Sequence, residues 1–397
     1  MLKSQSLLKR RPRQAATMFR KAVIAFAFVL LSKETRAESG GLRRSTPPVG
    51  EGSSLPPAAA ASVSPDGAVP LDDLLKHSFH VSFSAGEDQP AAAFPGGPNC
   101  DGGYCVEGWG NKPQGEAGSS GTVLFLHGGG SNVRRYRDVW PRLGKLMPPG
   151  TDYKIIFLSA WISKSTDSME WFRILDSSQK YPDITDRWNT HQMSDALRIL
   201  EKIVEQVGSE MSDGKQLGFE NVWMSGHSQG ALLSAAFPLI GTQKLVKGSF
   251  SIASYPLPGR CDQSSPYLYD GGTRGCSGSA ERPVGFNTEK LTALKMGFYT
   301  GTMDDQFPPS HSVAPDAVKT QVPAKADYSF PRWRVTLQKW QFDPSKGNVH
   351  FWFAPGRTHK DITWQDSSDA WFRALITFVQ GKTSEIQAEA WPMWSPE

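Results

Sequence analysis

A chain of 397 residues, 39% hydrophobic and 21% charged, has apolar material for one large folded domain with tails, or for two domains. Its net charge of +4 excludes the strongly basic surface that nucleic acid demands. Much of that excess sits in one place, at Lys9, Arg10, Arg11, Arg13, Arg20 and Lys21, so no nucleic-acid partner is expected for the folded part.

The first apolar run covers residues 22–31, behind Arg20 and Lys21. It is shorter than the roughly 20 residues that span a bilayer. This pattern predicts a signal peptide within residues 1–37, with a signal anchor as the alternative, and hence a secreted or secretory-lumen protein. Residues 38–70 are rich in Ser, Pro, Ala and Gly and read as a disordered linker. Residues 71–120 read as a Gly-rich extension, with an edge strand around Phe79, Val81 and Phe83 and loop beyond residue 92. Four cysteines, Cys100, Cys105, Cys261 and Cys276, agree with an oxidising compartment. Of the three pairings, Cys100–Cys105 and Cys261–Cys276 are expected, since each pair lies in a turn-rich stretch with little apolar content. Zinc is disfavoured, because no Cys-x-x-Cys or paired-His spacing accompanies the thiols.

The main folded domain is expected over residues 121–382, followed by a short tail over 383–397. Residues 122–126 form a continuous apolar strand of the fully buried kind. It runs into His127-Gly128-Gly129-Gly130, where backbone N–H groups are free to approach a ligand. Residues 154–158 read as the next strand. Met193, Ala196, Leu197, Leu200, Ile203, Val204 and Val207 recur at helical spacing, and Gly208 stops that helix. Strands follow at 222–227, 248–254, 295–300 and 348–353, and an amphipathic helix closes the domain at 369–380. Alternating strands and helices over this length predict an α/β fold with a mainly parallel central sheet and helices on both faces. Residues 256–290 interrupt the rhythm and read as a cysteine-bearing loop over the strand ends.

The chemistry concentrates at Gly226-His227-Ser228-Gln229-Gly230. An apolar run precedes it and a helix-forming run follows. In that setting a serine sits on a sharp strand-to-helix turn, near N–H groups that favour developing negative charge. A carboxylate straight after a late strand, Asp304 or its neighbour Asp305, fits the third member of a Ser…Asp…His order. His359 follows the last strand on a loop with Pro355 and Gly356 and fits the base. Among the other histidines, His127 is expected to brace the glycine loop, His350 to be structural, and His227 to face the site entrance and touch substrate.

With these residues assembled, the chain resembles the acyl-protein thioesterase, lysophospholipase and carboxylesterase branch of the α/β-hydrolases. The likeness runs through most of residues 121–381. Phe125-Leu126-His127-Gly128 is similar to that family's first motif, and Met169-Glu170-Trp171-Phe172 to its Met-x-x-Trp-Phe segment. Gly226-His227-Ser228-Gln229-Gly230 is similar to its Gly-Phe-Ser-Gln-Gly elbow. The resemblance implies an α/β-hydrolase fold, Ser228 as nucleophile, Asp304 as acid and His359 as base. It also implies an oxyanion hole from the Gly129 and Gln229 N–H groups, and substrate contacts from Gly128, His227 and Trp171. The family's Pro after the acid is Asp305 here. Its Leu at the oxyanion position is Gly129, a change expected to open the acyl pocket. The implied activity is hydrolysis of a small-molecule or lipid acyl ester, as a carboxylesterase or lysophospholipase, without metal or organic cofactor. A lipid substrate would bring contact with a membrane surface. A protein S-acyl thioesterase is the rival within this chemistry, and a non-catalytic binding protein the rival outside it.

Overall fold

The computed structural model describes residues 77–83, 99–100, 103–165, 168–173, 190–239, 246–256, 293–319, 328–339 and 348–391. The expected signal segment, the linker and the loop over 257–290 lie outside these residues. So do Cys261, Cys276 and the side chains of Cys100 and Cys105, and the expected pairings with them.

One sheet organises the described chain. Its main strands are β1 (Ser78–Phe83), β2 (Gly103–Gly110), β3 (Gly121–Leu126), β4 (Tyr153–Leu158), β5 (Val222–His227), β6 (Gly248–Ile252), β7 (Lys295–Gly301) and β8 (Val349–Ala354). Their spatial order is β1-β2-β4-β3-β5-β6-β7-β8, with short strands Asn99–Cys100 beside β2 and Glu389–Ala390 beside β8. From β4 to β8 every neighbour is parallel, while β2 runs antiparallel to both β1 and β4.

The strands alternate between two cores. Leu124, Leu126, Ile156, Leu158, Met224, Phe298 and Phe351 face one layer. Val123, Phe125, Ile155, Phe157, Trp223, Phe250 and Trp352 face the other. Helices α1 (Val133–Leu143) and α5 (Ala370–Val379) cover the second layer through Tyr136, Leu143, Trp371 and Phe378. Helices α2 (Thr190–Gly208), α3 (Gln229–Ala236) and α4 (Ser329–Lys339) cover the first. Both faces are therefore sealed, which is why the central strands are continuous apolar runs.

Several elements differ from the sequence reading, among them residues 389–390, expected within a tail, which pair with β8 as a short strand. Residues 103–110, expected as loop, form a full strand. Gly108 and Gly110 hid it, yet Gly108 is required there, since a Cβ would stand 2.7 Å from the Phe157 carbonyl oxygen on β4. Helix α1 was not read from the sequence, although Val133, Tyr136, Trp140 and Leu143 recur at helical spacing and pack on the second layer. It is Arg-rich, carries Pro141, and buries only Tyr136 and Leu143. Its start is fixed by Asn132, whose side-chain oxygen accepts the Arg135 N–H at 3.3 Å.

Candidate active site

The site lies at the carboxyl ends of β3, β5, β7 and β8. The turn after β5 is steep because its two glycines let the chains touch. A Cβ on Gly226 would come within 2.6 Å of the Gly230 backbone, and one on Gly230 would strike the Leu126 carbonyl. Ser228, between them, is held at φ 54° and ψ −119°, a conformation disfavoured for a residue with a side chain. Its N–H donates to the Ile252 carbonyl at 3.0 Å, which pins the strained residue to β6.

Three side chains then meet. The Ser228 Oγ lies 2.8 Å from His359 Nε2. His359 Nδ1 lies 2.9 Å and 3.0 Å from the two Asp304 carboxylate oxygens. The loops after β7 and β8 bring Asp304 and His359 together by backbone contact. The Met303 N–H donates to the Arg357 carbonyl at 3.0 Å, and Thr302 N–H to that of Ala354 at 3.1 Å. Gly301 allows that crossing, because a Cβ there would strike Arg357. Asp304 is fully buried, whereas Asp305 is exposed and outside the triad.

Burial by itself would raise the Asp304 carboxyl. The charge of His359, its ring hydrogen bond and the N–H groups of Phe307 (2.7 Å) and Gln306 (2.9 Å) outweigh it and hold the carboxyl below its ordinary value. The His359 ring is wedged between Phe307, edge-on at 5.2 Å between centroids, and His227 at 5.1 Å.

The N–H groups of Gly129 and Gln229 have no protein acceptor among the described residues. Gln229 opens α3, where the first N–H groups are left free by the helix itself. Gly129 does not open an acyl pocket as expected from its replacing a leucine. A Cβ there would lie 2.6 Å from the Gln229 Cδ, so the space is filled by that side chain. The Gln229 amide in turn ties down the segment after the glycines. Its Oε1 accepts the Trp171 N–H at 3.3 Å and its Nε2 donates to the Phe172 carbonyl at 3.1 Å.

Trp171, expected to contact substrate, is fully buried behind the glycine loop and donates its indole N–H to the His127 carbonyl at 2.7 Å. It therefore supports the loop and lines no cleft. His127 is its neighbour in that task. Its Nε2 accepts the Ala160 N–H at 3.0 Å, which makes Nδ1 the protonated nitrogen that donates to the Gly128 carbonyl at 2.8 Å. His227 lines the cleft, but only 7% of it is exposed, and its Nε2 donates to the His359 carbonyl at 2.8 Å. It thus holds the His359 backbone in place. Gly128 lets the glycine loop close on the elbow, for a Cβ would lie 2.8 Å from His227 Nδ1.

The cleft over Ser228 has a volume of about 210 Å³ and is walled by the glycine loop, Arg135, Gln306, Lys360 and Trp364. Sequence reading did not single out Arg135, Lys360 or Trp364. The available signal was position, one turn into the helix after the glycines and within five residues of His359. Among the described residues no three His, Cys, Asp or Glu side chains cluster as a metal site, and no helix is long and apolar enough to cross a membrane.

A mainly parallel sheet with antiparallel β2, a serine on the turn between β5 and α3, and an acid and a histidine after β7 and β8 define the α/β-hydrolase fold. No family model and no curated protein matches the chain. Among solved structures it is similar to esterase PE8, at 16% identity over 68% of this chain and 94% of that one, with a TM-score of 0.39. It is similar to Arabidopsis thaliana SOBER1 at 14% identity, over 66% and 98% of the two chains, with a TM-score of 0.34. A carboxylesterase from Mesorhizobium loti aligns at 12% identity over 70% and 95%, with a TM-score of 0.41.

Proposed function

We propose that the chain is a serine hydrolase that cleaves carboxylic esters through an acyl-enzyme on Ser228. The observation that carries this reading is the unbroken line from Ser228 Oγ to His359 Nε2 at 2.8 Å and from Nδ1 to Asp304 at 2.9 Å. Ser228 attacks the ester carbonyl while His359 Nε2 takes its proton. The carbonyl oxygen, now negative, sits against the Gly129 and Gln229 N–H groups. His359 then hands the proton to the leaving alcohol as the C–O bond breaks. Water repeats the sequence on the acyl-enzyme, releasing the acid and restoring Ser228. Asp304 holds the His359 tautomer and offsets the charge the ring carries in each step.

The carboxylesterase form of this reading is favoured over the lipid forms by the cleft. Among the described residues its wall is glycine, polar and cationic groups, with Trp364 as its large apolar surface. A binding scaffold would have no use for the strained Ser228, a conformation that costs about 1–3 kcal/mol. The test is a fluorophosphonate probe with intact-mass detection. We expect one adduct on the wild-type chain and none on Ser228→Ala. A folded wild type that stays unlabelled removes the hydrolase reading.

A further inference from the structure

The wall of the Ser228 cleft is charged on one side only. Among the described residues Arg135 and Lys360 both line it, and no Asp or Glu does. Of the carboxylates next in sequence to wall residues, Asp304 is engaged with His359, Asp361 with the Thr358 N–H at 2.6 Å and Asp366 with Arg357 at 2.7 Å, while Asp305 is exposed and is not part of the wall. No ion pair among the described residues includes Arg135 or Lys360.

Arg135 is also held in place. Its guanidinium lies over the Trp364 ring, 4.7 Å from the centroid, and the residue is half-buried. Stacking fixes the plane of the guanidinium and leaves its N–H edges to meet a ligand. Its position in the chain opposes ordinary helix electrostatics. Arg135 stands in the first turn of α1, where the helix end is positive, and that turn contains no acidic residue. An anion placed in the cleft would relieve that repulsion and meet Arg135 and Lys360 together.

We infer that the ester taken at Ser228 carries an oxyanion substituent, a carboxylate or a phosphate, and that Arg135 and Lys360 bind it. Arg135 is the orienting group, because its planar edge matches two oxygens at once; Lys360 supplies a mobile point charge. This rests on the serine-hydrolase reading and narrows it to small anionic esters. The cleft of about 210 Å³ lies below the usual range for a drug-sized ligand, which agrees with a small substrate.

The experiment compares matched esters on the full chain. Mono(4-nitrophenyl) succinate against 4-nitrophenyl butyrate places the anion on the acyl side. Then 4-acetoxybenzoate against 4-acetoxybenzamide places it on the alcohol side, and 4-acetoxyphenyl phosphate tells phosphate from carboxylate. The readout is the ratio of kcat/KM for the anionic ester to that for its neutral partner. We expect a wild-type ratio above about ten in at least one pair at low salt, shrinking in 0.5 M NaCl. Arg135→Gln should lower that ratio at least about tenfold, mostly through KM, and Arg135→Lys should keep part of it. Lys360→Gln, at an exposed position, should lower it a few-fold and serves if the arginine variants fail to fold. Lys215→Gln, on a distant exposed strand, is the control and should leave it unchanged. A wild-type ratio near one in every pair, or a ratio indifferent to both cations, overturns the inference while leaving the hydrolase reading intact. Labelling of Ser228 by fluorophosphonate with no turnover of any ester also overturns it. Absence of both labelling and turnover sinks the hydrolase reading instead.

Discussion

Two buried histidines should make this protein acid-labile, and the size of the effect follows from their surroundings. Burial lowers His127 from 6.5 to about 4, and burial with the charge of His359 lowers His227 to about 3. In both, the folded state prefers the neutral ring. His127 uses both nitrogens in neutral form, one accepting from Ala160 and one donating to Gly128, so a second proton would break the first bond. The unfolded chain titrates near 6.5. Stability contributed by neutrality is therefore complete above pH 6.5 and is lost as pH falls toward 4 for His127 and 3 for His227. At pH 5 each histidine costs about 2 kcal/mol, so the pair costs about 4 kcal/mol. Urea unfolding at pH 7.5, 6.5, 5.5 and 5.0 measures this directly. The free energy should fall by up to about 3 kcal/mol per pH unit, and His127→Gln or His227→Gln should each remove about half of it. A slope in the double variant equal to that of the wild type would refute the reasoning. It would mean that the two rings take up protons when folded as readily as when unfolded.

The two neighbouring carboxylates should separate sharply. Asp304→Asn should lower kcat by about 10⁴-fold, since an amide cannot fix the His359 tautomer, while Asp305→Asn should stay within about twofold; equal losses in a 4-nitrophenyl ester assay would contradict the buried triad. At the other end of the sheet, Lys154 Nζ donates to Glu210 Oε1 at 2.7 Å and to the Pro113 carbonyl at 2.8 Å, with both side chains buried. Lys154→Met should destabilise by about 3–5 kcal/mol by stranding Glu210, and adding Glu210→Leu should recover most of it in urea unfolding.

Where a feature depends on one stretch of chain, the sequence carried it. The buried strands and helix α2 were legible because sealed faces require unbroken apolar runs and a helical stripe. The elbow was legible because two glycines at fixed spacing are a steric demand of a single turn. Features set by a second, distant segment were not. Strand β2 exists because β1 and β4 pair with it, and its glycines, read locally, point to loop. The choice between Asp304 and Asp305 is made by where Arg357 crosses Gly301, fifty-odd residues away in the chain.

The glycine at 129 shows why a local substitution can be misread. Replacing a large residue by glycine reads as added space if the rest of the site is imagined fixed. Here the space is claimed by the Gln229 side chain, which reaches across to Trp171 and Phe172. Gly129 and Gln229 thus form one unit. Both present a free backbone N–H to the same region, and the side chain of one occupies the missing side chain of the other. The same unit leans on Trp171 and through it on His127, so the glycine loop is braced from behind by groups that do not line the cleft. The opposite wall of the cleft is formed by Arg135 on α1 and by Lys360 and Trp364 on the loop after β8, the groups that the proposed anion recognition would use.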